Sequence, residues 1–263
     1  MAKTVVITGG SSGIGRAAAR ALMNSGNRVY ELSRTGADSD GVTHITADVT
    51  DEASLRSAAD EIVRREGRID ALICCAGFGI SGAVEFTETE AAQRLMDVNF
   101  FGVVRTVIAF MPHLRESRGR VVLISSIAGI LPIPFQTYYS ASKAAINAYA
   151  AALQNEVRPF GVSVCAVMPG DIRTGFTAAR EKSQKGDELY NGRISRSVAR
   201  MEKDETEGMS PDAAGAYIAR IALKKRVKPY YSVGFIYKLF SVIYRVLPWR
   251  FISFILYKMY GGE

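Results

Sequence analysis

The chain has 263 residues, 48% of them hydrophobic, and a formal net charge of +7. That length suits one large α/β domain or two small ones, with apolar content enough for a full core. Only two histidines, His44 and His113, argue against a His-rich metal site, and no metal is expected; the body lacks a dense Lys/Arg patch with interleaved aromatics, which sets nucleic acid aside. Cys74, Cys75 and Cys165 lie in apolar runs without a C-x-x-C, and read as free buried thiols in a reducing cytosol. Met1-Ala-Lys leads straight into an apolar run, so no signal peptide is expected.

Thr4 to Thr8 predicts a first strand. Gly9-Gly-Ser-Ser-Gly-Ile-Gly15 follows, then an alanine-rich helix over Arg16 to Asn24. Strand, glycine loop and helix start come in the order a phosphate site requires. Glycines allow close approach of the backbone, and a helix N-terminus offers free N–H groups and a positive dipole end. Asn27 to Ser33 predicts the second strand, whose carboxyl end reads the adenosine ribose of a nicotinamide cofactor. An acid there suits a 2′-hydroxyl and an arginine a 2′-phosphate. The strand ends Leu32-Ser33-Arg34, favouring NADP(H) with Arg34 facing the phosphate and Ser33 beside it. An earlier strand end would bring Glu31 to a ribose hydroxyl and favour NAD(H).

Val42 to Ala47 predicts a third strand closed by Asp48-Val49, where the acid contacts adenine or caps the next helix, Asp51 to Arg65. Ile69 to Cys74 predicts a fourth strand, followed by small residues Ala76 and Gly77 where a backbone passes close to a ligand. A long helix is expected over Glu90 to Leu114, ended or kinked by Pro112. Asn99 falls on its buried pattern, either bonding a neighbouring backbone carbonyl or holding a water in a proton relay.

The next stretch, Ser125 to Lys143, begins at the end of the apolar run Arg120 to Ile124 and finishes in a helix. Tyr139 and Lys143 are four apart, on one helical face. An ammonium one turn from a phenol favours the phenolate, and about 3 units of pKa depression would need roughly 4 kcal/mol. Ser126, on the strand end, would hydrogen-bond a substrate oxygen beside that phenol. Gly161 to Val167 predicts another strand, stopped by Pro169-Gly170. Residues 171–208 are charged and short of apolar periodicity, so residues 171–210 are read as a substrate lid. Ser210-Pro-Asp starts a last body helix, and Lys228 to Val233 a final strand.

Nearly all-apolar strands alternating with helices imply a parallel sheet covered on both faces, with ligands bound at the strands' carboxyl ends. The expected architecture is α/β, a single Rossmann-type doubly wound sheet of about seven strands over residues 1–233, with an amphipathic extension over 234–263.

Thr8-Gly-Gly-Ser-Ser-Gly-Ile-Gly15, Asn99, Ser126 and Tyr139-Ser-Ala-Ser-Lys143 together resemble the short-chain dehydrogenase/reductase family. The resemblance covers about residues 3–233. It implies Tyr139 as general acid/base, Ser126 as the polarising hydroxyl, Lys143 lowering the phenol's pKa while binding the nicotinamide ribose, and Asn99 as the relay amide. The cofactor residues it implies are Gly9, Ser11, Ser12, Gly13, Ile14, Gly15, Ser33, Arg34, Asp48, Val49, Ala76, Gly77, Pro169, Gly170, Ile172 and Thr174, with Asn99, Tyr139 and Lys143. One departure is Cys74-Cys75-Ala76-Gly77, where the family usually has Asn-Asn-Ala-Gly or Asn-Ala-Ala-Gly. Ser12 stands where NADP-preferring members often carry a basic residue, so the NADP(H) reading rests on Arg34. Relatives commonly pair through the helices beginning near Glu90 and Tyr138, which implies a homo-oligomer.

Residues 229–260 hold Lys238, Arg245, Arg250 and Lys258 and no acid. Lys238, Ser241 and Arg245 share a face opposite Phe235, Leu239, Ile243 and Val246. The uncharged run Phe251 to Tyr257 is too short to span a bilayer, but the composition suits a peripheral interfacial helix pair on the inner face of a membrane; otherwise the tail packs on the body, on a second copy or over the substrate pocket. The tail and lid are similar to the hydroxysteroid and retinol dehydrogenase branch. That implies a cytoplasmic enzyme of lipid metabolism moving hydride between nicotinamide and a hydrophobic alcohol or ketone: a hydroxysteroid, a retinoid or an acyl chain. A 3-oxoacyl reductase and a non-catalytic NADP(H)-sensing scaffold are the alternatives, the second disfavoured because a sensor needs no proton donor.

Overall fold

Strands that are apolar at every position need cover on both faces, and the computed structural model, which describes residues 2–261, shows where each face goes. In chain order the elements are β1 (Thr4–Thr8), α1 (Gly13–Asn24), β2 (Arg28–Ser33), β3 (Thr43–Thr46), α2 (Glu52–Glu66), β4 (Ala71–Cys74), β5 (Ile80–Ser81), α3 (Thr89–Met96), α4 (Gly102–Ser117), β6 (Arg120–Ile124), α5 (Thr137–Val157), β7 (Ser163–Pro169), α6 (Phe176–Ala179), β8 (Glu181–Lys182), α7 (Arg193–Thr206), α8 (Pro211–Leu223), β9 (Tyr230–Val233), α9 (Phe235–Val246) and α10 (Trp249–Leu256). A seven-stranded sheet runs β3-β2-β1-β4-β6-β7-β9 with every pairing parallel, and β5 pairs with β8 apart from it. The strand order reverses between β1 and β4, the switch point at which such sheets bind dinucleotides.

Side-chain alternation divides the core. Val6, Leu72, Val121 and Val164 face α2, α4 and α5, meeting Leu55, Phe110 and Ile146. Val5, Ile7, Ile73 and Val167 face α1 and α8, meeting Leu22 and Ile218. Short connections are fixed by local chemistry: Asp51 caps α2 through Ala53 N at 2.9 Å, and Ser210 caps α8 ahead of Pro211.

Two sequence expectations need correction. Pro112 neither ends nor breaks its helix; α4 runs through it to Ser117. The carbonyl that proline leaves without its usual helical donor belongs to Ile108. The helix instead changes pitch at a π turn over Asp97–Phe101, around Asn99. Residues 171–208 are not a bare loop: α7 is a 14-residue helix whose Ile194, Val198 and Met201 form a buried i, i+4, i+7 stripe. The run Thr89–Ser117 is long and apolar enough to cross a membrane by length and composition, yet its Val107, Phe110 and Leu114 are core residues.

The tail packs over the pocket, one of the expected placements, but splits each expected face: Lys238 and Arg245 are exposed while Ile243 is turned inward. Ser241 is turned to the body and bonded to Ser232 of β9 at 2.9 Å, while Phe235 is 88% and Val246 74% exposed. The inner residues of α9 and α10, among them Phe240, Ile243, Ile252 and Leu256, roof a cavity at the sheet's carboxyl rim.

Candidate active site

That cavity, about 510 Å³, opens where β1, β4, β6 and β7 end. Its floor begins with the glycine loop. Gly9 has φ +69°, and a Cβ there would stand 2.8 Å from the Ala76 backbone; one on Gly15 would stand 2.2 Å from the Gly9 carbonyl oxygen. The chain therefore folds so tightly only with glycine at both places. Ser12 precedes α1 without capping it, and the first turn contains no acid, leaving N–H groups and the positive dipole end for an anion. Gly9, Ser12, Gly13, Ile14, Gly15, Ala76 and Gly77 line the cavity beside Pro169, Gly170, Ile172 and Thr174. Ser11 is exposed at the loop tip. This uncapped, side-chain-free cradle fits the pyrophosphate of a dinucleotide.

Ser33, Arg34, Asp48 and Val49 lie outside the cavity lining, on the rim that continues from it past β2 and β3. β2 extends to Ser33, so Glu31 is not at a strand end. It is 4% exposed, paired with His44, and accepts a hydrogen bond from the Ser33 hydroxyl at 3.1 Å. Its other oxygen, Oε2, has no hydrogen-bond partner and lies beside Gly10 of the glycine loop. Arg34 is exposed. Burial works against the Asp48 carboxylate, but hydrogen bonds from Thr50 N and Oγ1, with the Arg34 and Arg105 guanidiniums, hold it below the usual range. Asp51, not Asp48, is the helix cap. Val49 lies against Gly102 at the head of α4.

Ser126, Tyr139 and Lys143 line the cavity together. The Ser126 hydroxyl accepts from Ala128 N at 3.1 Å and is near enough to the Tyr139 phenol to favour its ionised form. Lys143 is 6% exposed; its Nζ donates to the Ile124 carbonyl at 3.0 Å and lies 5.6 Å from the Tyr139 ring centroid. Neither is a solvated surface residue. The expected acidification is absent from this state of the protein. Burial pushes the Tyr139 phenol up to about 12, the Ser126 hydroxyl opposing it, and pushes the Lys143 ammonium down to about 8. Desolvation outweighs the attraction of two groups that face each other ring to ammonium.

Asn99, fully buried, lies behind the cavity rather than in its wall. Its Nδ2 donates to the Phe78 carbonyl at 2.9 Å and its Oδ1 accepts from Phe78 N at 2.9 Å, with Ser142 Oγ at 3.2 Å from Nδ2. The backbone bond, one of the two readings of this amide, is made. The amide thus clamps the loop after β4 to the π turn.

Cys74 faces the core, but Cys75 is only partly buried and lines the cavity, correcting its reading as a core thiol. Its thiol is pushed up to about 11 by burial, with Lys143 opposing. Sequence reasoning missed Gln136, Phe176 and Glu205, which also line the cavity. The Phe176 ring stands 5.6 Å from that of Tyr139. The only sequence signal for Glu205 was its place at the end of the α7 stripe.

A family model described as short chain dehydrogenase matches residues 3–185. The chain belongs to the short-chain dehydrogenase family. It is an oxidoreductase of alcohol and keto groups using a nicotinamide cofactor. A 3-ketodihydrosphingosine reductase of Bacteroides thetaiotaomicron is 42% identical over 225 residues, 84% of each chain. Among solved structures, a short-chain dehydrogenase from Streptomyces avermitilis superposes with TM-score 0.81 at 30% identity, covering 96% of this chain and 97% of the other. An alcohol dehydrogenase of Thermococcus sibiricus complexed with 5-hydroxy-NADP superposes with TM-score 0.72 at 25% identity, covering 90% and 98%.

Proposed function

We propose that the protein reduces a long-chain lipid ketone with NADPH. The observation that carries this reading is the roof: Phe240, Ile243, Ile252 and Leu256 close an apolar cavity over Tyr139. An aliphatic chain of the substrate lies under α9 and α10, and its carbonyl meets Ser126 and Tyr139. The likeness to 3-ketodihydrosphingosine reductase favours a sphingoid-type ketone over the steroid or retinoid first expected. Arg34, exposed on the rim beyond Ser33, supports the 2′-phosphate of NADP(H).

Bound along the glycine loop, the nicotinamide would supply the hydride. Tyr139 gives its proton to the developing alkoxide, and Ser126 donates a hydrogen bond to the same oxygen. Lys143 holds positive charge beneath the phenol and offers its free N–H groups to the cofactor's ribose. Asn99 keeps Phe78 and the adjoining Gly77 in place. Residues 171–210 and the tail act as lid and roof over the body of residues 1–233.

We also propose that the outer face of α9 and α10 rests on a membrane surface. Phe235, Leu239, Val242, Val246, Trp249 and Phe254 are exposed there, among four cations without an acid. Copies are proposed to pair along α4 and α5, where Phe101 and Ile108 are exposed.

The test is cofactor oxidation by the purified protein with 3-ketones of increasing chain length. NADPH is expected to outperform NADH by at least about tenfold, and kcat/KM to rise with each buried methylene, worth about 0.8 kcal/mol. Indifference to chain length would remove the lipid reading, and equal use of both cofactors the role of Arg34.

A further inference from the structure

The polar end of the cavity holds a carboxylate that hydride transfer does not use. Glu205, at the end of α7, lines the cavity, and its charge acts on the Tyr139 hydroxyl. It is held from behind. Arg180 donates from Nη2 to one oxygen and the Thr177 hydroxyl donates to the other. The Arg180 side chain is wholly buried; its guanidinium lies 5.6 Å from the Phe176 ring centroid, and it donates to the Gln136 amide oxygen at 3.2 Å. Its Nη1 has no partner.

Such a pair is a poor device for stability, because desolvation of both ions offsets their attraction. Placed in the wall of a cavity it does something else: it presents a fixed carboxylate with lone pairs to spare to the same pocket that Tyr139 lines. Two acids line the cavity, Glu205 and Asp171; Asp171 is taken up by the Tyr237 hydroxyl and burial raises its pKa, which leaves Glu205 as the carboxylate offered to an incoming cation.

We propose that Glu205 receives a protonated amine carried next to the substrate's carbonyl, which makes it the residue that selects 2-amino ketones from plain lipid ketones. This rests on the reading of the protein as a lipid-ketone reductase. Arg180 and Thr177 are positioning residues that hold the carboxylate toward the cavity.

The experiment measures kcat and KM for a long-chain 2-amino-3-ketone and for the 3-ketone of equal length without the amine, with the full chain and NADPH. The quantity read is the ratio of the two kcat/KM values. In Glu205→Gln this ratio is expected to fall about 10- to 100-fold, mainly through KM of the amino ketone, as for a lost charge-assisted hydrogen bond of about 1.5–3 kcal/mol. Glu205→Asp should restore part of it. Thr177→Val, which frees one carboxylate oxygen without removing the charge, should lower the ratio severalfold and serves if Glu205→Gln does not fold. An unchanged ratio in a folded, cofactor-binding variant overturns the subsite alone. Failure of the unmodified protein to reduce either ketone overturns the reductase reading and the subsite with it.

Discussion

The glycine-loop rim and the C-terminal tail solve opposite problems. At the rim, charged and polar groups are buried: Lys143 is 6% exposed and Asn99 fully enclosed, each with a hydrogen bond to backbone. In the tail, apolar groups are exposed, although burying one such side chain is worth about 1.5–3 kcal/mol. Folding stability alone accounts for neither arrangement. The rim spends stability to hold a proton donor, and the tail leaves stability uncollected to hold a surface open. Regions that depart from the interior-apolar, exterior-polar rule in either direction are where function is read.

The sharpest break of this comparison is Tyr139→Phe. It should bind NADPH as tightly as the unmodified chain and lose turnover by about 10³-fold or more, measured by cofactor titration and steady-state rates. Because burial raises the phenol to about 12, the hydroxyl is the protonated donor throughout the neutral range. Ketone reduction should thus be flat with pH in that range, while alcohol oxidation, which needs the phenolate, should climb about tenfold per unit. A reduction rate that collapses near neutrality would show that the donor titrates there.

A second test inverts the usual sense of a core mutation. Lys143 titrates near 8 in the fold against 10.5 when free, so between those values the unfolded chain holds more protons and stability rises with pH. Below that window the buried charge is a full penalty. Lys143→Met should therefore abolish activity yet stabilise the cofactor-free protein at neutral pH by about 1–3 kcal/mol, the lost bond to Ile124 offsetting part of the gain. The advantage should shrink as pH rises through the window, followed by thermal melts at several pH values.

The smallest expected change in stability sharpens the tail. Phe254→Ser, at a residue 57% exposed, should leave the melting temperature nearly unaltered, within about 0.5 kcal/mol, while reducing sedimentation with anionic lipid vesicles. A large loss of stability would mean that this ring already has a partner within the protein.

Most of the body was legible because its signals are local and repeated. Apolar strands, the Gly9–Gly15 loop and the Tyr139–Lys143 spacing each fix a neighbourhood of a few residues, and the parallel sheet then brings them to one rim. What was hidden depends on distance. The ion pair of Arg180 and Glu205 joins positions 25 apart and announces itself in neither segment. The α7 stripe was present in Ile194, Val198 and Met201 but diluted by charge. The tail's position over the pocket was one of several placements the sequence left open, because helical periodicity sorts residues into faces but does not say which face the site takes. The phenol's titration was misjudged because spacing shows an ammonium nearby but not the water that burial removes.

The turn after β4 carries a last consequence. Cys75 puts a sulfhydryl at the cavity wall, yet its pKa of about 11 leaves it almost wholly protonated under physiological conditions. Since only the thiolate attacks peroxides and alkylating reagents readily, the sulfur is chemically quiet where it stands. An enzyme built this way keeps a cysteine beside its proton donor in the unreactive thiol form, because the same burial that lines the pocket disfavours the thiolate.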